Sequence, residues 1–344
     1  MEIKNYLSAE GLQKWQALIN QSTNVVVLGH AGPDGDAIGS ILSMTHYLVG
    51  LGKKVVPMTP NACPDFLRWM PGIDQVVFAR TAAKKAHAAL ASADLVICTD
   101  FGIYSRLEDI AQTVEGLGVP VIVIDHHLDP TINADLMVSD PAASATCEII
   151  FCLLHQVGAY EQMTKAIATC LYCGLMTDTG AFAYNSNRPE IFLIISMLMA
   201  KGIDKDQIYR NVYYSYTESR LRLMGHLMSE KLIHFPDEHA SIFTLTQEEM
   251  DEYNFIRGDA EGFVNLPLQI KGAKLSISLR EDTEKPIIRV SLRSVGTFPC
   301  NKMAEDFFNG GGHLNAAGGS LPKPMSEALK TAKNAIKAYR DLLI

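Results

Sequence analysis

The chain has 344 residues, against about 100–200 per domain in ordinary proteins, so two domains are expected. Thirty basic against thirty-eight acidic side chains give a net charge of −8, which argues against a broad cationic face for long duplex nucleic acid. The longest apolar run, Ile191–Ala200, falls short of the about eighteen residues that span a bilayer and reads as a core helix. The start, MEIKNYLSAE, has no basic segment leading into an apolar one, and the seven cysteines form no framework pattern. A cytoplasmic protein in a reducing compartment is therefore expected, with no membrane association.

Ser8 to Gln21 carries Leu12, Trp15, Leu18 and Ile19 at helical spacing behind an N-cap serine. Short apolar strands follow at Val25–Leu28, Val55–Pro57, Leu95–Cys98 and Val119–Ile124. Helical stretches separate or follow them at Ala37–Val49, Ala82–Ala91, Ser144–Gln156 and Lys165–Cys173. Strands alternating with helices predict α/β architecture, a doubly wound, mainly parallel sheet, with ligands outside the carboxyl ends of its strands. Residues 1–200 are assigned to this domain. Residues 201–235 read as a helical linker, and 236–344 as a smaller α/β domain. Its strands lie at Ser241–Leu245, Lys274–Arg280 and Ile287–Arg293, the last two as a hairpin, before a glycine-rich stretch at Asn309–Gly319 and a terminal helix from Ser326.

Four places with metal-binding chemistry fall where strands end. His30, Asp34 and Asp36 lie within seven residues after Val25–Leu28, among Gly32, Gly35 and Gly39. Asp100 follows Leu95–Cys98, and Asp125-His126-His127 follows Val121–Ile124. Asp178 sits in Thr177-Asp178-Thr179-Gly180. Asp100 alone reads equally as a helix cap, and Asp178 as a turn residue. Together they would converge on one sheet edge, where so many carboxylates need divalent cations as compensation.

The triplet Asp125-His126-His127 and the uninterrupted His-x-x-Pro-Asp-Gly-Asp-Ala-Ile-Gly-Ser from His30 to Ser40 resemble the signatures of the DHH phosphoesterase family. Gly310-Gly311-Gly312-His313-Leu314-Asn315-Ala316-Ala317-Gly318-Gly319 is similar to the hallmark of the associated DHHA1 substrate domain. Length, domain order and Ser291-Leu292-Arg293-Ser294 resemble the compact NrnA-like oligoribonucleases, or nanoRNases. The resemblance implies two Mn2+ ions, with Mg2+ or Co2+ as substitutes, and hydrolysis of short single-stranded RNA to 5′-mononucleotides. It also implies 3′-phosphatase action on 3′-phosphoadenosine 5′-phosphate (pAp). His30, Asp34 and Asp100 would hold one ion; Asp36, Asp100, His126 and Asp178 would hold the other. His127 would face the scissile phosphate, with Asp125 orienting an imidazole; which of the two histidines ligates is left open by the sequence. Two such ions activate water and clamp the attacking and leaving oxygens.

Arg293, Gly311, Gly312, His313 and Asn315 are the expected substrate contacts, the glycines offering main-chain N–H groups to a phosphate. Residues 271–293 hold six basic and three acidic side chains, a local positive bias. Alternatives are a dedicated pAp phosphatase, a linear or cyclic dinucleotide phosphodiesterase, and a nucleotide-sensing module; the last should lack a ligand, and none is missing. A homodimer is compatible with the sequence. Cys170-x-x-Cys173 reads as core packing, and Tyr209, Tyr213, Tyr214 and Tyr216 as the packing face of a linker helix.

Overall fold

A computed structural model describes residues 2–256 and 258–344. The chain divides into two compact units, Met1–Ser215 and Tyr216–Ile344.

In the first unit, α1 (Ala9–Gln21) begins at Ser8, whose hydroxyl accepts the Gly11 N–H, and buries Trp15 and Ile19. There follow β1 (Asn24–Leu28), α2 (Gly35–Gly50), β2 (Lys54–Thr59), β3 (Val77–Phe78), α3 (Ala83–Ser92) and β4 (Leu95–Thr99). The chain continues through α4 (Ala111–Glu115), β5 (Val121–Asp125), β6 (Leu136–Ser139), α5 (Thr146–Gln156), α6 (Lys165–Asp178), α7 (Pro189–Met199) and α8 (Lys205–Tyr213). The strands pair in parallel in the order β3-β2-β1-β4-β5-β6. Successive strand side chains point to opposite faces. Val25, Val27, Ile97 and Ile122 therefore join one apolar core with α2, α5 and α6, while Val26, Leu28, Val96 and Val123 join another with α3. With both faces covered, the strands are continuous apolar runs rather than alternating ones.

The chain winds outward from β1 to β3, then returns to lay β4 against the other side of β1. The carboxyl ends of β1 and β4 thus diverge into a crevice, the usual ligand position in such sheets. Close packing of α2 on α6 needs glycine at two points. A Cβ on Gly39 would lie 2.6 Å from Cys170 O, and one on Gly174 would lie 2.3 Å from Cys147 Sγ.

Strands β3 and β6, of two and four residues, carry too little periodicity to be predicted from the sequence. The helix expected over Lys165–Cys173 runs on through Gly174, whose missing side chain serves packing, and Asp178 is its last residue.

The second unit contains α9 (Glu218–His226), β7 (Ile233–Phe235), β8 (Ala240–Leu245), α10 (Gln247–Glu252), β9 (Leu275–Glu281) and β10 (Ile287–Ser294). It ends with α11 (Cys300–Phe307), β11 (Gly311–His313), β12 (Ala316–Pro322), α12 (Met325–Ala338) and α13 (Arg340–Leu343). The stretch 201–235 therefore carries α8 in the first unit and α9 in the second. Its sheet runs β11-β12-β10-β9-β8-β7, antiparallel except for β8 with β9. The glycine-rich stretch is a β-hairpin and not an open loop: Gly311, Gly312 and His313 pair with Gly318, Ala317 and Ala316. Its glycines allow backbones to touch, since a Cβ on Gly310 would lie 1.9 Å from Gly318 O and one on Gly319 would lie 2.3 Å from Phe308 O. Among the described residues no helix is long and apolar enough to cross a membrane.

Candidate metal centre

Beyond β1, His30 is buried, with Nδ1 2.9 Å from its neighbour's carbonyl at Ala31. This leaves Nε2 toward Asp100, 3.3 Å from Oδ2. Gly32, at φ +65°, turns the chain so that Asp34 caps α2, its Oδ1 accepting the Asp36 and Ala37 N–H groups at 3.0 Å. That capping bond sets the Asp34 carboxylate beside His30 and Asp100: one ligand atom from each lies within 4.8 Å of the others. Asp36, in the first turn of the helix, is fully buried; its two oxygens accept the main-chain N–H groups of Thr146 (2.6 Å) and Cys147 (2.9 Å) at the start of α5.

Asp100 leaves β4 in the left-handed region, φ 66°, a conformation that costs about 1–2 kcal/mol in a residue with a side chain. Its N–H donates to Ile124 O at 2.9 Å, which ties it to β5. At the end of β5, His126 Nε2 lies 3.3 Å from Asp178 Oδ2, 3.5 Å from Asp100 Oδ1 and 3.9 Å from Asp36 Oδ2. His127 instead turns Nδ1 to Asp125 Oδ1 at 2.8 Å. The adjacent histidines therefore differ: His126 faces three carboxylates and His127 is held by the buried Asp125. Asp36, His126 and Asp178 form a second cluster with ligand atoms within 4.8 Å, as do Asp100, Asp125 and His127.

These residues fit divalent cations. Ligand atoms each about 2.1 Å from one ion lie roughly 3.0–3.4 Å apart, so the 3.3 Å separations of His30 from Asp100 and of His126 from Asp178 are those of a ligand set rather than of short charge-assisted hydrogen bonds. Electrostatics agree. Burial pushes the Asp36 carboxyl up to about 7, aided by the neighbouring Asp100. Burial also opposes ionisation of Asp100, but His30, His127 and His126 outweigh it and hold that carboxyl below the ordinary range. For His126, burial disfavours the imidazolium, yet Asp100, Asp36 and Asp125 raise its pKa. The side chains are thus mutually frustrated without added positive charge. Asp125 Oδ2, buried with no hydrogen-bond partner among the described residues, adds to that negative potential.

The expected substrate residues lie together at one end of the second unit's sheet. Arg293 is opposite Ala316 and donates from Nη1 to Leu292 O at 2.9 Å. Asn315, in the turn between β11 and β12, donates to Ser294 Oγ (2.8 Å) and Gly296 O (2.9 Å), so its amide fastens the turn to the end of β10. Gly312 takes φ 142°, where a Cβ would lie 2.6 Å from Ala316 O, and His313 closes the strand. Cys170 and Cys173 are buried in the core with free thiols. Tyr209 contacts both Tyr213 and Tyr214, but Tyr214 is 73% exposed, and Tyr216 lies against Arg220 in the second unit.

Sequence reasoning missed Thr146 and the ion pair behind it. Arg188 reaches the buried Glu148 at 2.7 and 2.8 Å, and Glu148 also accepts the Ser144 N–H at 2.7 Å. No spacing in the chain announces either contact.

The N-terminal domain of the DHH family matches residues 24–175, and the DHHA1 domain matches residues 242–340. The chain is 30% identical over 297 residues to the bifunctional oligoribonuclease and PAP phosphatase NrnA of Thermus thermophilus, covering 86% of this chain and 84% of that protein. It is 28% identical over 339 residues to the cyclic-di-AMP phosphodiesterase PdeA of Listeria monocytogenes, covering 95% of this chain but 49% of that longer protein. The crystal structure of an exopolyphosphatase-related protein from Bacteroides fragilis matches it with a TM-score of 0.94 and 43% identity over 99% of both chains. The crevice of carboxylates and imidazoles, the paired domains and these relatives together establish that the chain belongs to the DHH–DHHA1 family of metal-dependent phosphoester hydrolases.

Proposed function

We propose that this hydrolase uses two Mn2+ ions to degrade RNA of two to a few nucleotides to 5′-mononucleotides, and that it also removes the 3′-phosphate of pAp. The observation that carries the reading is the convergence of His30, Asp34, Asp36, Asp100, His126 and Asp178 on the crevice beyond β1, β4 and β5. His30, Asp34 and Asp100 would hold one ion, and Asp36, Asp100, His126 and Asp178 the other. The ions would supply Lewis acidity, lowering the pKa of a water and neutralising phosphate charge. Two imidazoles among the carboxylates favour Mn2+ over Mg2+, with Co2+ as a further substitute.

The protein's own groups do the rest. Asp125 accepts from His127 Nδ1, which fixes the tautomer and turns Nε2 toward the reacting phosphate as the atom that can take or give a proton. Arg293 and His313 recognise a terminal phosphate beside the β11–β12 hairpin, which suits a small, doubly anionic substrate better than a long strand. The net charge of −8 supports the same preference. Seven buried cysteine thiols support work in the reducing cytoplasm.

The Listeria relative favours a second reading, a cyclic dinucleotide phosphodiesterase, because its similarity covers nearly this whole chain. Turnover of a 5′-phosphorylated RNA dinucleotide, pAp and cyclic-di-AMP by one Mn2+-loaded preparation separates the two. The proposal expects mononucleotides from the dinucleotide and phosphate from pAp. Hydrolysis of pAp alone would make the protein a nucleotide phosphatase, and preference for the cyclic substrate would favour the second reading.

A further inference from the structure

A carboxylate that serves two cations through its two oxygens needs its plane held still, one oxygen toward each. In Asp100 the oxygens are already divided: Oδ2 faces His30 Nε2 at 3.3 Å, and Oδ1 faces His126 Nε2 at 3.5 Å. The bond from Asp100 N–H to Ile124 O fixes where the side chain starts, but not the torsion of its carboxylate, which is broad in an unrestrained aspartate. Among the described residues, Thr146 is the hydrogen-bond donor to that carboxylate that is not itself one of the histidines of the cluster. Its Oγ1 lies 3.0 Å from Asp100 Oδ1.

Thr146 is itself immobile. It is fully buried at the first position of α5, its N–H donates to Asp36 Oδ2 at 2.6 Å, and the next N–H, from Cys147, takes the other Asp36 oxygen. Threonine is restricted to two main χ1 rotamers in a helix, so its hydroxyl has few directions to take. The ordinary use of a threonine at a helix start is to cap it, and this one does not. The N-cap position belongs to Ala145, which has no side-chain acceptor, and the threonine hydroxyl one residue later is committed to Asp100. One residue therefore ties an aspartate from α2 to an aspartate from β4.

We propose that Thr146 is a positioning residue that divides Asp100 between the two cations and sets its separation from Asp36. The inference rests on the two-ion reading above. Its test is calorimetric titration of the EDTA-stripped full-length protein with Mn2+, for wild type, Thr146→Val and Thr146→Ser. Valine keeps the shape and the N–H but loses the hydroxyl; serine keeps the hydroxyl. Thr146→Val is expected to bind at least one Mn2+ about 10–100-fold more weakly, the scale on which hydrogen-bond partners of metal ligands act, with Thr146→Ser within about threefold of wild type. Thr146→Ala carries the same test if the valine protein does not fold. Unchanged Mn2+ affinity in the hydroxyl-free variant would overturn the proposal, as would equal losses in the serine and valine proteins, because the methyl group would then be what matters. A wild type that binds no Mn2+ would overturn the two-ion reading instead, so the two failures are distinguishable.

Discussion

Asp125 Oδ1 accepts two hydrogen bonds from His127, one from the main-chain N–H at 3.1 Å and one from Nδ1 at 2.8 Å. The carboxylate can only accept there, so Nδ1 carries the proton, and one oxygen holds both the ring and the main chain of His127. Asp125→Asn substitutes a group that can present a donor to Nδ1 and so releases the tautomer. We expect kcat on the RNA dinucleotide to fall about 10–100-fold, with Mn2+ content unchanged. Loss of Mn2+ on mass-spectrometric metal analysis would contradict this, since Asp125 would then be holding an ion.

Arg293 is expected to act in binding rather than in chemistry. Arg293→Ala should raise KM for both pAp and the dinucleotide about 10–100-fold, the worth of a charge-assisted phosphate contact, and leave kcat nearly unchanged. Steady-state kinetics on both substrates checks it. A fall in kcat at constant KM would remove Arg293 from the phosphate site.

Gly39→Ala tests the helix crossing that brings Asp36 and Asp178 to the same crevice. Its Cβ would meet Cys170 O at 2.6 Å, so α2 and α6 must separate. Overpacking of this kind costs about 1–3 kcal/mol. Denaturant unfolding should register that loss, accompanied by weaker Mn2+ binding; unchanged stability would mean that the two helices yield freely.

Glu249, in the second unit, supplies a pH signature that involves none of the candidate metal ligands. Burial disfavours its charge, but Lys231 at 2.8 Å, His226 at 3.0 Å and the Thr246 N–H at 2.9 Å prevail and lower its pKa from 4.5 to about 2. A depressed carboxyl stabilises the fold fully above its ordinary pKa, and that stabilisation is lost as the pH falls from 4.5 through about 2. Glu249→Gln should therefore lower Tm at pH 7, by about 2–4 °C once solvent screening is allowed for. The gap to wild type should narrow progressively below pH 4.5. A gap that stays constant from pH 7 to pH 3 would contradict the assignment.

Much of the site was legible because its ligands lie at strand ends that apolar runs announce. Val25–Leu28, Leu95–Cys98 and Val121–Ile124 are buried on both faces, so each run and the polar residue after it stand out in the chain. What those runs do not carry is strand order, and it is the return of β4 beside β1 that opens the crevice. Thr146 was invisible for a related reason: its partners Asp36 and Asp100 are 110 and 46 residues away. The role of glycine is hard to read from sequence. Gly174 lies inside α6, and the glycine-rich stretch forms a hairpin, because a missing side chain serves close packing as well as it serves flexibility.

Asp100 is the residue proposed to join two divalent cations in one hydrolytic site. This is tested by hydrolysis of the 5′-phosphorylated RNA dinucleotide by protein stripped with EDTA, then resupplied with Mn2+, for wild type and Asp100→Ala. We expect no turnover after stripping, recovery on adding Mn2+ to wild type, and no recovery in the variant, which should also fail to retain the pair of ions. Full turnover in EDTA, or by the Asp100→Ala protein, would contradict it.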